Sequence, residues 1–504
     1  MKIDLGRLCL AFAFLSGAAL GEFLPLDHPV YRPLDFLVRN GRIPALNSAT
    51  RPYDADAAFN ALSALDTAAL SLRERTERTI ALAYLGDRGT PGKAHRLRIS
   101  LSLNGTGEKA DSTDYFARGA LGLVYSFGNF TFVDRVQADR GSDTARFDQL
   151  DRQFKKSVPA DMPQAYLAWS GKHFGALFGR NSAQWGPGRF HHLLLSDHQP
   201  SLNMVSAWAR LGFLKATSLS AKLNPVIGWD RYFSAMRLSF QITPDAYLAI
   251  NQSIVYAGEH RPFELYYLLP CYLYYFSQFG FTHSNESENI FLSADGEWRV
   301  RDKVNLYFEF LADDFQVDSD PISKGVQNAV AFVLGAECPE LNDVYSAGAE
   351  YTRANSYVYK HMGGWPTHYI ANTHGGVLGD ELGPDAEALH LWSARQCGRY
   401  TSVRMRYDLT RRGDLNSVYG TWDAYDKADE PMPHGTVETT HTLALKWERV
   451  NWNGLSAGTE AGYLWTSNQF HIAGNNASGP LFQLSLDYRF QTVLRWDTRE
   501  SLFE

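Results

Sequence analysis

The stretch FGRNSAQWGPGRFHHLLLSDHQP, from Phe178 to Pro200, gathers a Gly-Pro-Gly turn, two arginines, a tryptophan, two adjacent histidines and three leucines. Gly186-Pro187-Gly188 cannot continue a strand, because proline lacks the ladder N–H and the flanking glycines favour a turn. The preceding YLAWSGKHFGALFGR reads as a hairpin around Gly171-Lys172, after which Arg180 leaves the sheet. Trp185 and Arg189 then stand on a tight, rigid loop. An exposed indole and guanidinium on such a loop suit a carbohydrate. Sugar C–H faces stack on aromatic rings, and Arg, Asp and Asn form paired hydrogen bonds to hydroxyls and carboxylates. The alternative makes Trp185 a membrane-interface residue and Arg180 a salt-bridge partner in the lumen.

A second cluster, GAEYTRANSYVYKHMGGWPTHYIANTHGGVLGDELGPDAEAL, spans Gly348 to Leu389. A strand ends near Arg353, a long loop rich in Gly and His follows, and GVLGDELGPD reads as a folded turn. Loops of this length are usually functional. His361, His368 and His374 match no zinc spacing and have no cysteine beside them, so no metal is expected. The chain has no GxSxG and no SxxK, and the Asp313-Asp314 pair lacks a glycosidase context. The expectation is a non-catalytic protein without a cofactor. RPFELYYLLPCYLYYFSQFG, Arg261 to Gly280, is apolar on both faces and broken by Pro270. It predicts a segment packed inside a barrel or under loops, in preference to a strand.

The elements that hold these motifs change character along the chain. MKIDLGR followed by LCLAFAFLSGAAL, with Ala19 and Gly21 before Glu22, predicts a secretory signal peptide over 1–21. Of four cysteines, Cys271, Cys338 and Cys397 would remain after its cleavage; they are far apart and odd in number, so no disulfide framework is expected. From Pro25 to about Gly89 the apolar spacing is helical. Val30, Tyr31, Leu34, Leu37 and Val38 share one face, Asp54 opens a second helix, and a third runs through TAALSLRERTERTIALAYLGDRG. These make a small bundle over 22–92.

After Gly92 the period becomes two. HRLRISLSLNG sets Leu97, Ile99, Leu101 and Leu103 against Arg96, Arg98, Ser100 and Ser102, and AMRLSFQI, TSVRMRYDLT and LFQLSLDYRF repeat the pattern. Half-charged strands with aromatics near their ends suit a transmembrane barrel with a wet lumen better than a soluble sheet. Leu97 to Phe490 allows 16 to 18 strands. So wide a barrel encloses a channel unless something fills it, and the bundle is the candidate plug. A net charge of −7 and 45% hydrophobic residues exclude disorder and give no reason to expect nucleic-acid binding.

The opening PLDHPVYRPLDFLVRNGRI with RPYDADAAFNAL, then GRNSAQWGPGRFHHLLLSD, EYTRANSYVYKH and YIANTHGGVLGDELGPDAEAL, occur in an order that resembles the capsule assembly protein Wzi family of outer-membrane proteins. The resemblance implies a mainly β fold. It implies a monomeric antiparallel barrel of about eighteen strands over 93–504, set in outer-membrane lipid and closed at one mouth by the helical bundle. It implies a lectin-like role, holding capsular or exopolysaccharide delivered by export machinery. The family positions here are Gly179, Arg180, Trp185, Gly186, Pro187, Gly188, Leu194, Leu195 and Ser196. A second set is Glu350, Tyr351, Arg353, Tyr359, His374, Gly375, Leu378, Gly379, Gly383 and Pro384. Candidate glycan contacts are then Trp185, Arg180, Arg189, Arg353, Tyr351, Glu350, Trp365 and His374. Gly186, Pro187, Gly188, Gly379, Gly383 and Pro384 are structural candidates. The competing functions are a porin whose lumen arginines, such as Arg404 and Arg406, select anions, and a purely structural scaffold.

Overall fold

The computed structural model describes residues 21–496 except 45, 87, 89–94, 110–112, 141–159, 227, 270–271, 277–287, 302, 315–328, 362–364, 372–375, 419–430 and 453. Residues 1–20 of the expected signal peptide, together with His374 and Gly375, lie outside it, as does the side chain of Trp365.

Eighteen antiparallel strands close into one barrel, from β1 (His95–Lys109) to β18 (Ala477–Trp496), which pair to each other with His95 opposite Trp496. Closure pairs the edge strands, which is what lipid demands of a sheet. Alternation then sorts the side chains. Leu101, Leu103, Leu121, Leu123, Ile250, Phe308, Leu334, Leu443 and Leu484 face outward and are exposed, forming an apolar belt. Arg96 and Arg98 of β1 face the lumen and are buried. The barrel therefore crosses an outer membrane with its strands. No described helix is long and apolar enough to do so.

Connections at one end are two to four residues long, while those at the other include 182–201, 259–287, 355–385 and 413–437. Short turns mark the periplasmic end and long loops the extracellular end. At the periplasmic mouth sit α1 (Tyr31–Arg39), α2 (Ala55–Ser63) and α3 (Leu72–Leu85). Asp54 caps α2 by accepting from Ala57 N–H at 2.8 Å. Ser71 and Glu74 form a reciprocal capping box on α3. Because Ser71 starts α3, the expected third helix divides, and Thr67–Ala69 forms a separate 3₁₀ turn. The apolar faces, with Val30, Leu34, Leu37, Leu62, Ile80 and Leu85, form one core that also takes in Val450 of the barrel. Ion pairs fasten the bundle to the wall: Arg96–Asp56 at 3.0 Å, Arg39–Glu337 at 2.7 Å, and Glu22 between Arg88 (2.8 Å) and Arg98 (2.5 Å).

Residues 261–269 and 272–276 contradict their sequence reading. They lie not in the lumen but on the outer wall. In the ladder between β8 (Trp229–Thr243) and β9 (Ala246–Gly258), Arg237 and Asn251 point inward to Asp295, so Tyr232, Met236, Gln252, Ile254 and Tyr256 point outward. Tyr267 and Tyr274 bury themselves against that outward patch. The Gln252 amide donates to Tyr272 O at 2.6 Å and accepts from Tyr274 N–H at 3.1 Å, and Ser218 Oγ donates to Leu268 O at 2.9 Å. Polar groups on a lipid-facing wall need partners, and this strap supplies them.

Candidate functional site

The Gly-Pro-Gly segment folds into the lumen. Its entry is a two-residue ladder in which Trp185 pairs with Thr50 of the N-terminal segment. Six consecutive backbone N–H groups, 188 to 193, then dock on three carboxylates. Glu309 accepts from Gly188 (3.0 Å) and Leu193 (2.9 Å), and Glu350 accepts from Arg189 (2.6 Å), Phe190 (3.1 Å) and His191 (3.0 Å). Asp380 accepts from His192 at 2.7 Å. A carboxylate removed from water is tolerable only with such donors around it, and a strand-less backbone is tolerable there for the same reason. The glycines permit the approach. Gly186 has φ +118°, and a Cβ on it would collide with the Glu309 carboxylate.

The second cluster is the other half of the same scaffold. Tyr359 Oη donates to Leu193 O at 2.6 Å, Tyr369 Oη donates to Leu194 O at 2.8 Å, and Ser196 Oγ donates to Gly379 O at 2.5 Å. A side chain at Gly379 would strike Leu193 O and the Tyr359 ring. Gly383, with φ +74°, leads into Pro384, whose carbonyl accepts from Asn416. Trp185, Leu193, Leu194, Leu195, Tyr359, Tyr369, Ile370 and Leu378 form a dry core with wall residues Phe233 and Phe291. The lumen is thus filled by packed loops as well as by the bundle.

These placements overturn the expected sugar platform. Trp185 is 2% exposed and belongs to the inner core. Arg189 lies inside, paired with Glu337 at 2.6 Å and over the Trp392 ring at 5.1 Å. Glu350 spends its oxygens on three N–H groups and on the Tyr307 hydroxyl at 2.9 Å. Arg180 does not leave the sheet. It is the penultimate residue of β5 (Phe174–Asn181), pairs with Ala165 and Asn203, and points outward. Tyr351 and Arg353 also point outward, opposite in phase to Glu350, with Tyr351 Oη donating to Glu387 at 2.6 Å. Burial pushes the His191 imidazolium down, but Asp380 at 2.8 Å from Nδ1 pulls it up to about 9.

Space remains inside the barrel, and its extracellular part is polar. A cavity of about 590 Å³ lies inside the extracellular halves of β1, β2 (Thr113–Phe127), β3 (Phe130–Arg140) and β4 (Ala160–Ser170), walled on one side by the 197–201 segment. Asn104, Gln137 and Gln164 present amides, Arg118 and Arg135 guanidiniums, and Phe116 a ring. Asp27, carried up by the N-terminal segment, ties Arg118 (3.1 Å) to Arg135 (3.4 Å), and Asp139 holds Arg118 at 2.9 Å. None of the described sequence candidates lines this cavity. Its signal was the polar half of each alternating strand, which the motifs overshadowed.

A family model described as "Capsule assembly protein Wzi" matches residues 127–478. The chain belongs to this family. Among solved structures it is similar to Wzi of Escherichia coli, described as an outer membrane protein involved in group 1 capsule assembly and a carbohydrate binding β-barrel. Identity is 14%, TM-score 0.64, with 93% of this chain and 99% of that one covered. It also aligns with OprD of Pseudomonas aeruginosa (10% identity, TM-score 0.45, 78% and 95% covered) and OccAB1 of Acinetobacter baumannii (8%, 0.45, 79% and 96%). No curated protein sequence matches the chain. The eighteen-stranded barrel of this chain, with its N-terminal helical bundle, is the fold that the resemblance implied.

Proposed function

We propose that this Wzi-family chain is a lectin-like anchor: it binds capsular or related exopolysaccharide at the cell surface and leaves it chemically unchanged. The observation that carries the reading is the polar cavity of about 590 Å³ at the extracellular end of the lumen. Amides, guanidiniums and carboxylates in one concave site match the hydroxyls of a sugar, and Phe116 offers a ring face. The description of E. coli Wzi as carbohydrate binding supports it. Each contact is weak, but a polymer meets many copies, and linked contacts raise the effective concentration. A barrel complete within one chain supports a monomer, which would take polymer from the export machinery.

A channel reading needs an open path. Arg406 is engaged by Asp408 (2.7 Å) and Glu460 (2.6 Å), and packed loops occupy much of the lumen. The test is a strain lacking the protein, with cell-attached and released polysaccharide measured separately. Anchoring predicts an unchanged total with material moved to the medium. Loss of both fractions would place the role in export instead.

A further inference from the structure

The outer wall carries a second concave site, on the opposite face from the lumen. One row of outward side chains crosses five strands near their extracellular ends. It runs Ala165 on β4, Arg180 on β5, Asn203 on β6 (Leu202–Leu211), Lys222 on β7 (Leu214–Val226) and Tyr232 on β8, each opposite the next. The row below it, about 7 Å nearer the membrane centre, is Leu167, Phe178, Val205, Ser220 and Ser234. There the two serines bond to each other at 2.6 Å and Phe178 is 71% exposed. On the first three strands polarity therefore switches within one step, from Leu167, Phe178 and Val205 to a row that holds Arg180 and, one strand further on, Lys222.

The shape agrees with the chemistry. β5 has eight residues, against thirteen in β7 and fifteen in β8, so the wall dips here. The dip is a groove of about 810 Å³, lined by Met162, Phe178, Arg180, Lys222 and Tyr232, and by Phe263 of the outer strap. Asp161 orients Arg180 at 3.4 Å. Asp230 orients Lys222 at 3.2 Å, and Tyr232 lies beneath its ammonium at 5.9 Å. Lys222 remains more than half exposed.

We infer that this groove binds one phosphate-bearing lipid of the outer leaflet. Its phosphate sits between Lys222 and Arg180, and an acyl chain lies along Phe178 and Val205. Ammonium and guanidinium groups are the side chains suited to phosphate. A ligand reaching a groove in the membrane-facing wall comes from the bilayer, and the apolar residues Leu167, Phe178 and Val205 beneath Arg180 and Asn203 require it to carry a chain.

The test is native mass spectrometry of the full chain in zwitterionic detergent. The probes are a phosphorylated acylated disaccharide lipid, its phosphate-free counterpart, and inorganic phosphate. The expected result is retention of the phosphorylated lipid, with at least a fivefold fall for the Arg180→Gln/Lys222→Gln double variant, whose heat-modifiable band confirms a folded barrel. Equal retention of the phosphate-free lipid, undiminished retention by the folded variant, or full displacement by inorganic phosphate would each overturn the assignment.

Discussion

Replacing Glu350 by alanine tests how the lumen is kept shut. The substitution removes the acceptor for three backbone N–H groups of the inserted loop and for the Tyr307 hydroxyl. Hydrogen bonds to a charged group contribute about 1.5–3 kcal/mol each, so four amount to roughly 6–12 kcal/mol. Part of that is offset, since the variant no longer holds a desolvated carboxylate, a cost of several kcal/mol. The net loss is roughly 3–6 kcal/mol, and it falls on the loop because the strand ladder is untouched. That raises the open-loop population on the order of 10²- to 10⁴-fold. The assay is planar-bilayer conductance alongside limited proteolysis of folded protein in vesicles. Glu350→Ala should retain its heat-modifiable band, show new stepwise conductance, and be cut near the Gly186–Leu195 loop. A variant as silent and as resistant as the wild type would refute the docking scheme.

Other outcomes follow from the same contacts. Trp185→Ala leaves a large hole in the inner core and should lower stability by about 3–5 kcal/mol in denaturant unfolding; an unchanged midpoint would mean that the indole is not buried. Burial would raise the Glu22 carboxyl, but Arg88 and Arg98 outweigh it and hold the group well below its ordinary 4.5. A depressed carboxyl stabilises the plug above that ordinary value and loses its contribution as pH falls below it. Protease access to the N-terminal segment should therefore rise below about pH 4 in the wild type, and Glu22→Gln should show that access already at neutral pH.

The barrel was legible because alternation is local: each strand's apolar and charged faces stand in the sequence, and Arg96 and Arg98 met the lumen as their phase required. The helix starts were legible for a similar reason, Asp54 being a local cap. The site was not legible, because phase relative to the lumen is set by register. Gly179 and Glu350 point in while Arg180, Tyr351 and Arg353 point out, and one residue separates opposite environments. Nor could spacing reveal that Glu309, Glu350 and Asp380 converge on one loop from three distant segments. Those contacts explain why a single stretch contains a turn, cations and leucines: they build a loop that docks on carboxylates and buries an apolar core. The strap over β8 and β9 was misread since an apolar segment fits a core and a lipid-facing wall equally well.

The most direct measurement returns the lumenal cavity to cells. A strain lacking the chain would be complemented with wild type or with Asn104→Ala/Gln137→Ala, matched for folded protein in the outer membrane, and cell-attached polysaccharide would be compared with released. If the cavity holds polymer, the variant leaves total polysaccharide unchanged and shifts it to the medium. Full retention by the variant would contradict the proposed site.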